Sequence, residues 1–305
     1  MVNIYDKICE KAYHESNKYL QKSIANGVDI IEITISNNVA HLSKKTDHPL
    51  FTGRQHITFN FISEACKLLN EHINVVINIG LHDSYADSDL GIMVFSGVEN
   101  AKNLLIPDYY SMMEYSGKLK KDNIEFEKKQ NKAIFVGSST GSFNPKYNER
   151  LNICNKNINS ENIKCYINNF CQINMNDIIA EYPNYTLFSS NGLSIEQQQE
   201  YKYIINVDGN TCAWDRVPWI LCSNSVCLKK KSNNVCWYYD FMLSNDHYVE
   251  FDDDSEIQHI INTISIDDCK RIITNANQFC DDYLKINSHL LYMSKLLHYI
   301  SLKNN

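Results

Sequence analysis

Three short stretches hold residue types that could do chemistry. In "YIINVDGNTCAWDRVPW", residues 203–219, an apolar run ends on Asp208-Gly209-Asn210, and Arg216 follows that turn by six residues. Strand ends and helix starts in open α/β sheets hold anions, because free backbone N–H groups and the helix dipole point there. Arg216 could make two parallel bonds to a diphosphate. Most helical arginines are solvated, but this one is flanked by Trp214, Val217 and Trp219, and a charge in apolar company has a partner. In "AIFVGSSTGSFNPKYNERL" a buried-strand pattern runs into Gly137, Ser138, Ser139, Thr140 and Gly141. Glycines allow close backbone approach, while amides and hydroxyls can cup phosphate oxygens. The stretch is neither a Walker motif nor GxGxxG, and on its own it reads equally as an ordinary strand-ending loop. In "INVVINIGLHDS", His82 and Asp83 stand at a strand end. Asp83 there could draw a proton from an acceptor hydroxyl, or cap a following helix. His82 fills a pocket edge or orients the carboxylate. Asp87-x-Asp89 could hold Mg²⁺ or Mn²⁺, although acidic loops of this kind arise by chance, and no metal site is expected. The "DDDSE" run at Asp252 reads as the acidic start of a helix.

The elements that must position these residues follow from periodicity. A helix is expected through Lys22, then a hairpin "DIIEITISNNVAHLS" turning at Asn37-Asn38, then an amphipathic helix from Phe59. A strand spans Ile73 to Ile79 and "GIMVFSGV" is a further short strand. The charged segment "SGKLKKDNIEFEKKQNK" lacks a strong apolar face and marks a boundary between halves, or a solvated helix within one domain. Beyond it come strands at "KAIFV", "IKCYINN", "YIINV" and "SVCLKKK". Ser194 with Gln197 forms a capping box opening a helix, and helices follow at "CAWDRVPWILCSN", at "SEIQHIINTI" and in a long tail from Ile266. Strands alternating with helices in both halves predict an α/β protein of two Rossmann-like lobes.

Composition limits the function class. The chain has 305 residues, 44% of them hydrophobic, enough for one large or two ordinary domains with real cores. A net charge of −7 argues against nucleic acid as a partner, since that demands a positive face. The 11 cysteines show no CxxC pair and no zinc spacing, as expected of reduced, small apolar residues in a reducing compartment. The opening "MVNIYDKICEKAYHES" lacks the apolar core of a signal peptide, and no run reaches the length of a membrane span. A cytoplasmic protein without a membrane span is expected.

"YKYIINVDGNTCAWDRVPWILCSNSVCLKK", followed after a spacer by "HYVEF", resembles the signature of glycosyltransferase family 90. That family includes Rumi-type protein O-glucosyltransferases, capsule-associated xylosyltransferases and lipopolysaccharide-modifying relatives. The likeness extends back to "AIFVGSSTGSFNPKYNERL" and to "VVINIGLHDS", covering roughly residues 73 to 285. The resemblance implies GT-B architecture, with two Rossmann-like lobes facing a central cleft. Lobes are expected at residues 1–125 (acceptor side) and 126–285 (nucleotide-sugar side), with a C-terminal helix at 286–305 packing back on the first. It further implies an inverting, metal-independent transfer of glucose or xylose from a UDP-sugar to a glycan or lipid-linked glycan, with no cofactor besides the donor. By position, Asp83 matches the base, Gly137, Ser138, Ser139 and Thr140 the phosphate turn, Asp208, Gly209 and Asn210 the donor-site turn, and Arg216 the arginine facing the diphosphate. Four departures stand out. Ser139 replaces an arginine common in Rumi-type members, Cys236 replaces a glutamate before "WYY", Asp215 is an extra residue, and the strand before Asp83 ends with two additional residues. Ser139 and Cys236 motivate an alternative, a catalytically silent nucleotide-sugar or glycan-binding protein of the same fold. A metal-dependent transferase using Asp87 and Asp89 is a third reading.

Overall fold

The computed structural model describes residues 29–83, 92–99 and 104–304. The helix expected through Lys22 and the Asp87-x-Asp89 pair lie outside these residues. In chain order the described strands are β1 (Ile30–Ser36), β2 (Val39–Lys44), β3 (Asn74–Gly80), β4 (Met93–Val94), β5 (Gly97–Val98), β6 (Leu104–Leu105), β7 (Gln130–Ser138), β8 (Ile163–Asn169), β9 (Tyr201–Asn206), β10 (Val226–Lys230), β11 (Asn234–Val235) and β12 (Val249–Phe251). The α-helices are α1 (Thr52–Cys66), α2 (Tyr109–Met112), α3 (Glu149–Lys156), α4 (Met175–Glu181), α5 (Ile195–Gln198), α6 (Arg216–Leu221), α7 (Glu256–Thr263), α8 (Ile266–Tyr283) and α9 (Ile286–Asn304). They form two compact α/β units. One comprises the described residues up to Ser116 with Asn233–Tyr238 and Tyr283–Asn305, the other Gly117–Ser232 with Tyr239–Asp282.

The first unit is built on a mixed sheet, ordered β2-β1-β3-β4-β6. Asn37 and Asn38 take φ of 49° and 65°, the left-handed pair that a two-residue hairpin turn requires and asparagine tolerates. β1 is antiparallel to β2 and to β3, with Ile33 opposite Ile77, while β4 and β6 run parallel to β3. The helix expected from Phe59 begins at Thr52 instead. Its N-cap Phe51 makes no side-chain cap, so no capping residue announces the start. The apolar signal opens only where Phe61, Ile62 and Ala65 turn inward. The expected strand at "GIMVFSGV" is divided into β4 and β5, and β5 pairs with β11. Past β11, Trp237 stacks on Tyr292 of α9 with ring centroids 4.7 Å apart.

The second unit holds a parallel sheet ordered β12-β10-β9-β7-β8. Strands covered on both faces read as continuous apolar runs, which is why "AIFV" and "YII" stood out in the sequence. One face carries Ala133, Phe135, Cys165, Ile167, Tyr203, Ile205 and Leu228, packed against Leu151 and Ile153 of α3 and Ile257 and Ile272 of α7 and α8. Burying each such large side chain contributes about 1.5–3 kcal/mol. By alternation Ile204 and Asn206 point to the other face. The strand order is doubly wound: from β7 the chain passes to β8 on one side, then returns to build β9, β10 and β12 on the other. Loops leaving the carboxyl ends of β7 and β9 therefore diverge, and the crevice between them is where such sheets bind ligands.

At the amino end of this sheet the charged segment is anchored. Lys129, just before β7, has a fully buried side chain whose Nζ donates to Asp122 Oδ2 (2.8 Å), Gln199 O (2.6 Å) and Ser225 Oγ (2.9 Å). Its three donors have three acceptors, one of them a carboxylate.

Candidate functional site

The two turns singled out in the sequence both lie at the carboxyl ends of β7 and β9, on either side of the crevice. Gly137 and Ser138 are the last residues of β7 and the Asp208-Gly209-Asn210 turn follows β9 by one residue, so residues 71 positions apart (Gly137 and Asp208) are neighbours in the sheet edge. Gly141 N–H donates to Asn210 Oδ1 at 3.0 Å, joining the turns directly.

Arg150, in the first turn of α3, joins them more extensively. It is 8% exposed. Its Nε donates to the carbonyls of Val207 and Asp208, both at 3.1 Å, and its Nη1 to Ser138 O (3.2 Å) and Thr140 Oγ1 (2.7 Å). Asn148, the N-cap of α3, donates to Ser139 O (2.9 Å) and Ser142 O (3.1 Å) while accepting from Leu151 N–H. Sequence reasoning gave neither residue a role. Both sat in the quoted "YNERL", where an Asn two residues before Arg at a helix start was the available signal.

Two glycines are fixed by these side chains. A Cβ on Gly209 would lie 2.6 Å from Thr140 Oγ1 and 3.1 Å from the Arg150 guanidinium carbon. One on Gly137 would lie 2.9 Å from the Phe135 ring and 3.5 Å from Arg216 Nη2. Gly137 thus gives room to a ring over which the Arg216 guanidinium lies, 5.1 Å from the centroid.

Most of the polar side chains expected to meet a ligand instead build the scaffold. Ser139 is buried and its hydroxyl both donates to and accepts from the Cys171 backbone, at 2.8 Å each way. Asp208 accepts from Ala213 N–H (3.3 Å) and from Ser232 Oγ (2.6 Å). Ser138 Oγ lies 3.3 Å from Thr140 Oγ1.

Arg216 differs. It is the first residue of α6 rather than an interior one, because the helix starts later than its apolar pattern implied. Its Nη2 donates to Val136 O, and its Nη1 is buried with no hydrogen-bond partner among the described residues. The adjacent Asp215 pairs with Lys118 instead. Burial, then the nearby Arg150 charge, push the Arg216 guanidinium down to about 10, which leaves it cationic at neutral pH. Burial likewise lowers Arg150, opposed by Asp208. Two guanidiniums that meet no carboxylate among the described residues face the same crevice, a local positive field on an acidic protein.

Asp83 belongs to the first unit, just past β3. Its Oδ1 is 2.9 Å from Arg54 Nη2, and Arg54 Nη1 donates to Leu81 O at 2.8 Å. Ser96 Oγ donates to the Asp83 carbonyl at 2.6 Å. Arg54 thereby fixes the carboxylate rotamer. His82 packs 6.1 Å from the Phe51 ring, at the edge of this group.

Among the described residues no group of three or more His, Cys, Asp or Glu is arranged to hold a metal ion. Burial lifts the thiols of Cys66 to about 11 and Cys227 to about 12, so neither is a thiolate nucleophile at neutral pH. No helix among the described residues is long and apolar enough to cross a membrane.

A family model described as "Glycosyl transferase family 90" matches residues 106–303, which include both turns, Arg150 and Arg216, and begin after Asp83. A protein named O-glucosyltransferase LpsA, from Dichelobacter nodosus, is 29% identical over 102 residues, covering 32% of this chain and 32% of that protein. The matched stretch thus spans about a third of the relative's length.

Proposed function

The chain belongs to glycosyltransferase family 90, and from that premise we propose that it is an inverting, metal-independent glycosyltransferase of GT-B architecture. It moves a sugar from a UDP-sugar to a hydroxyl of a glycan acceptor. The lobe of residues 126–285 binds the donor at the carboxyl ends of β7 and β9. One observation carries this reading: at the crevice where the Arg150-tied turns meet, Arg216 presents a buried Nη1 without a partner among the described residues. A diphosphate oxygen supplies the missing acceptor.

In this reading Asp83 takes the proton of the acceptor hydroxyl as that oxygen attacks the anomeric carbon from the face opposite UDP. Arg216 and the backbone amides of the Ser138–Gly141 turn hold the charge that develops on the leaving diphosphate. Removing one such preorganised donor costs about 2.7–4 kcal/mol of transition-state stabilisation. Glucose is the first donor to test, since the Dichelobacter relative is named an O-glucosyltransferase. Xylose, one hydroxymethyl group smaller, is the second.

The Arg54–Asp83 ion pair favours a second reading, a silent nucleotide-sugar-binding protein, because Arg54 already holds one of the two oxygens that would receive the proton. A screen of UDP-, GDP- and CMP-sugars with EDTA present, scoring binding and hydrolysis, separates the two. Transfer or slow hydrolysis of one UDP-sugar, lost in Asp83→Asn with UDP binding intact, is the expected result. Binding without turnover supports the silent reading, and full transfer activity in Asp83→Asn removes Asp83 as the base.

A further inference from the structure

Lys129 and Lys230 of the second unit show how this protein handles enclosed ammonium groups. Lys129 has Asp122, and Lys230 Nζ lies 2.7 Å from Asp254 Oδ1 and 3.0 Å from Glu149 Oε2. Lys229 has no such arrangement. It is 4% exposed, and among the described residues its charge meets only ring faces, with Nζ 4.7 Å from the Tyr239 centroid and 6.0 Å from that of Tyr248. Glu250, beside it in register on β12, is exposed and accepts a hydrogen bond from Tyr248 OH at 3.4 Å instead. Burying most of a lysine side chain with no carboxylate beside its charge is costly, and an apolar side chain of the same length would fill the space without that cost.

Position suggests why the charge is kept. Lys229 is the penultimate residue of β10, one strand from the crevice, and its registered neighbour on β9 is Asn206. Asn206 is fully buried on the same face, and its Nδ2 and Oδ1 both lack partners among the described residues. A cation that meets ring faces, and an amide whose donor and acceptor are both without partners among the described residues, thus lie at the carboxyl edge of the sheet that holds the two turns. The four-carbon stem lets the ammonium swing toward that edge without moving the strand.

We propose that Lys229, with Asn206 beside it, is a second cationic subsite of the donor pocket and holds an anionic group of the nucleotide sugar. The inference rests on the donor-site reading above. The anion can come from the diphosphate or from a carboxylate on the sugar, as in a uronic acid.

The test measures binding of UDP, UDP-glucose and UDP-glucuronate by calorimetry to wild-type protein, Lys229→Met and Lys229→Arg, together with thermal melting of each without nucleotide. Loss of a charge-assisted contact lowers affinity by about tenfold or more. An equal loss for all three nucleotides in Lys229→Met identifies the diphosphate, and a loss confined to UDP-glucuronate identifies the carboxylate. Either supports the proposal when Lys229→Arg restores binding and Lys229→Met melts no lower than wild type. Affinities within about twofold of wild type for all three nucleotides, or lost binding with a lowered melting temperature in both variants, overturn it. Wild-type protein that binds none of the three overturns the donor-site reading and this inference together.

Discussion

The two ends of the parallel sheet treat buried positive charge in opposite ways. At the amino end Lys129 is fully enclosed, and each of its hydrogens has an acceptor, Asp122 among them. At the carboxyl end Arg150, Arg216 and Lys229 have backbone carbonyls, a hydroxyl or ring faces, and among the described residues no contacting carboxylate. Desolvation disfavours charge at both ends. Compensated charge fastens a segment in place, while uncompensated charge costs stability and leaves the protein ready for an anion. The same residue chemistry thus separates a structural end from a binding end.

That contrast can be broken in four places. Lys129→Met removes one partner of a buried pair and strands Asp122, so urea denaturation should show a loss of about 3–5 kcal/mol, with nucleotide affinity of the folded protein unchanged. A loss below about 1 kcal/mol would remove the structural assignment. His289 shows a third solution, a buried base that stays neutral. Burial between Tyr115 and Trp237 pushes it down to about 4, opposed by its bond to Ser111 O. In the unfolded chain it titrates near 6.5. Between these values the unfolded state binds more protons, so stability falls as pH drops from about 6.5 toward about 4, by up to about 3 kcal/mol in total. Urea titrations at several pH values should show that slope, flattened in His289→Phe.

Arg216→Ala should weaken UDP by about ten- to a hundredfold without lowering the urea midpoint, the reverse of Lys129→Met. An unchanged UDP affinity would end its assigned role. The smallest effect is expected from Gly209→Ala. Its Cβ, 2.6 Å from Thr140 Oγ1, must displace the turn, at about 1–2 kcal/mol of stability by the overpacking range and a few-fold in UDP affinity.

The second unit was largely legible in the sequence because its signals are local. Continuous apolar runs gave β7 and β9, "IKCYINN" coincides with β8, and Ser194 and Gln197 form the capping box read from their spacing. Helix α1 began unannounced because nothing local caps Phe51. The residues that bind the site together were hidden for a different reason. Arg150 acquires its role from carbonyls 57 and 58 residues away, and no periodicity reports that distance. Lys129 and Asp122 sit in a charge run that reads as solvated surface, yet their pairing is buried. Ser139 looked like a ligand contact because a small hydroxyl after glycine fits a phosphate turn. Its orientation toward Cys171 is set by the neighbouring strand.

The most direct test of the central claim is hydrogen exchange of the wild-type protein with and without UDP, read by mass spectrometry across the second unit. The account predicts slowed exchange in peptides covering residues 137–141 and 207–210, where the two turns meet, and no change around Lys129. UDP binding that leaves both turns exchanging as before, with protection elsewhere, would contradict it.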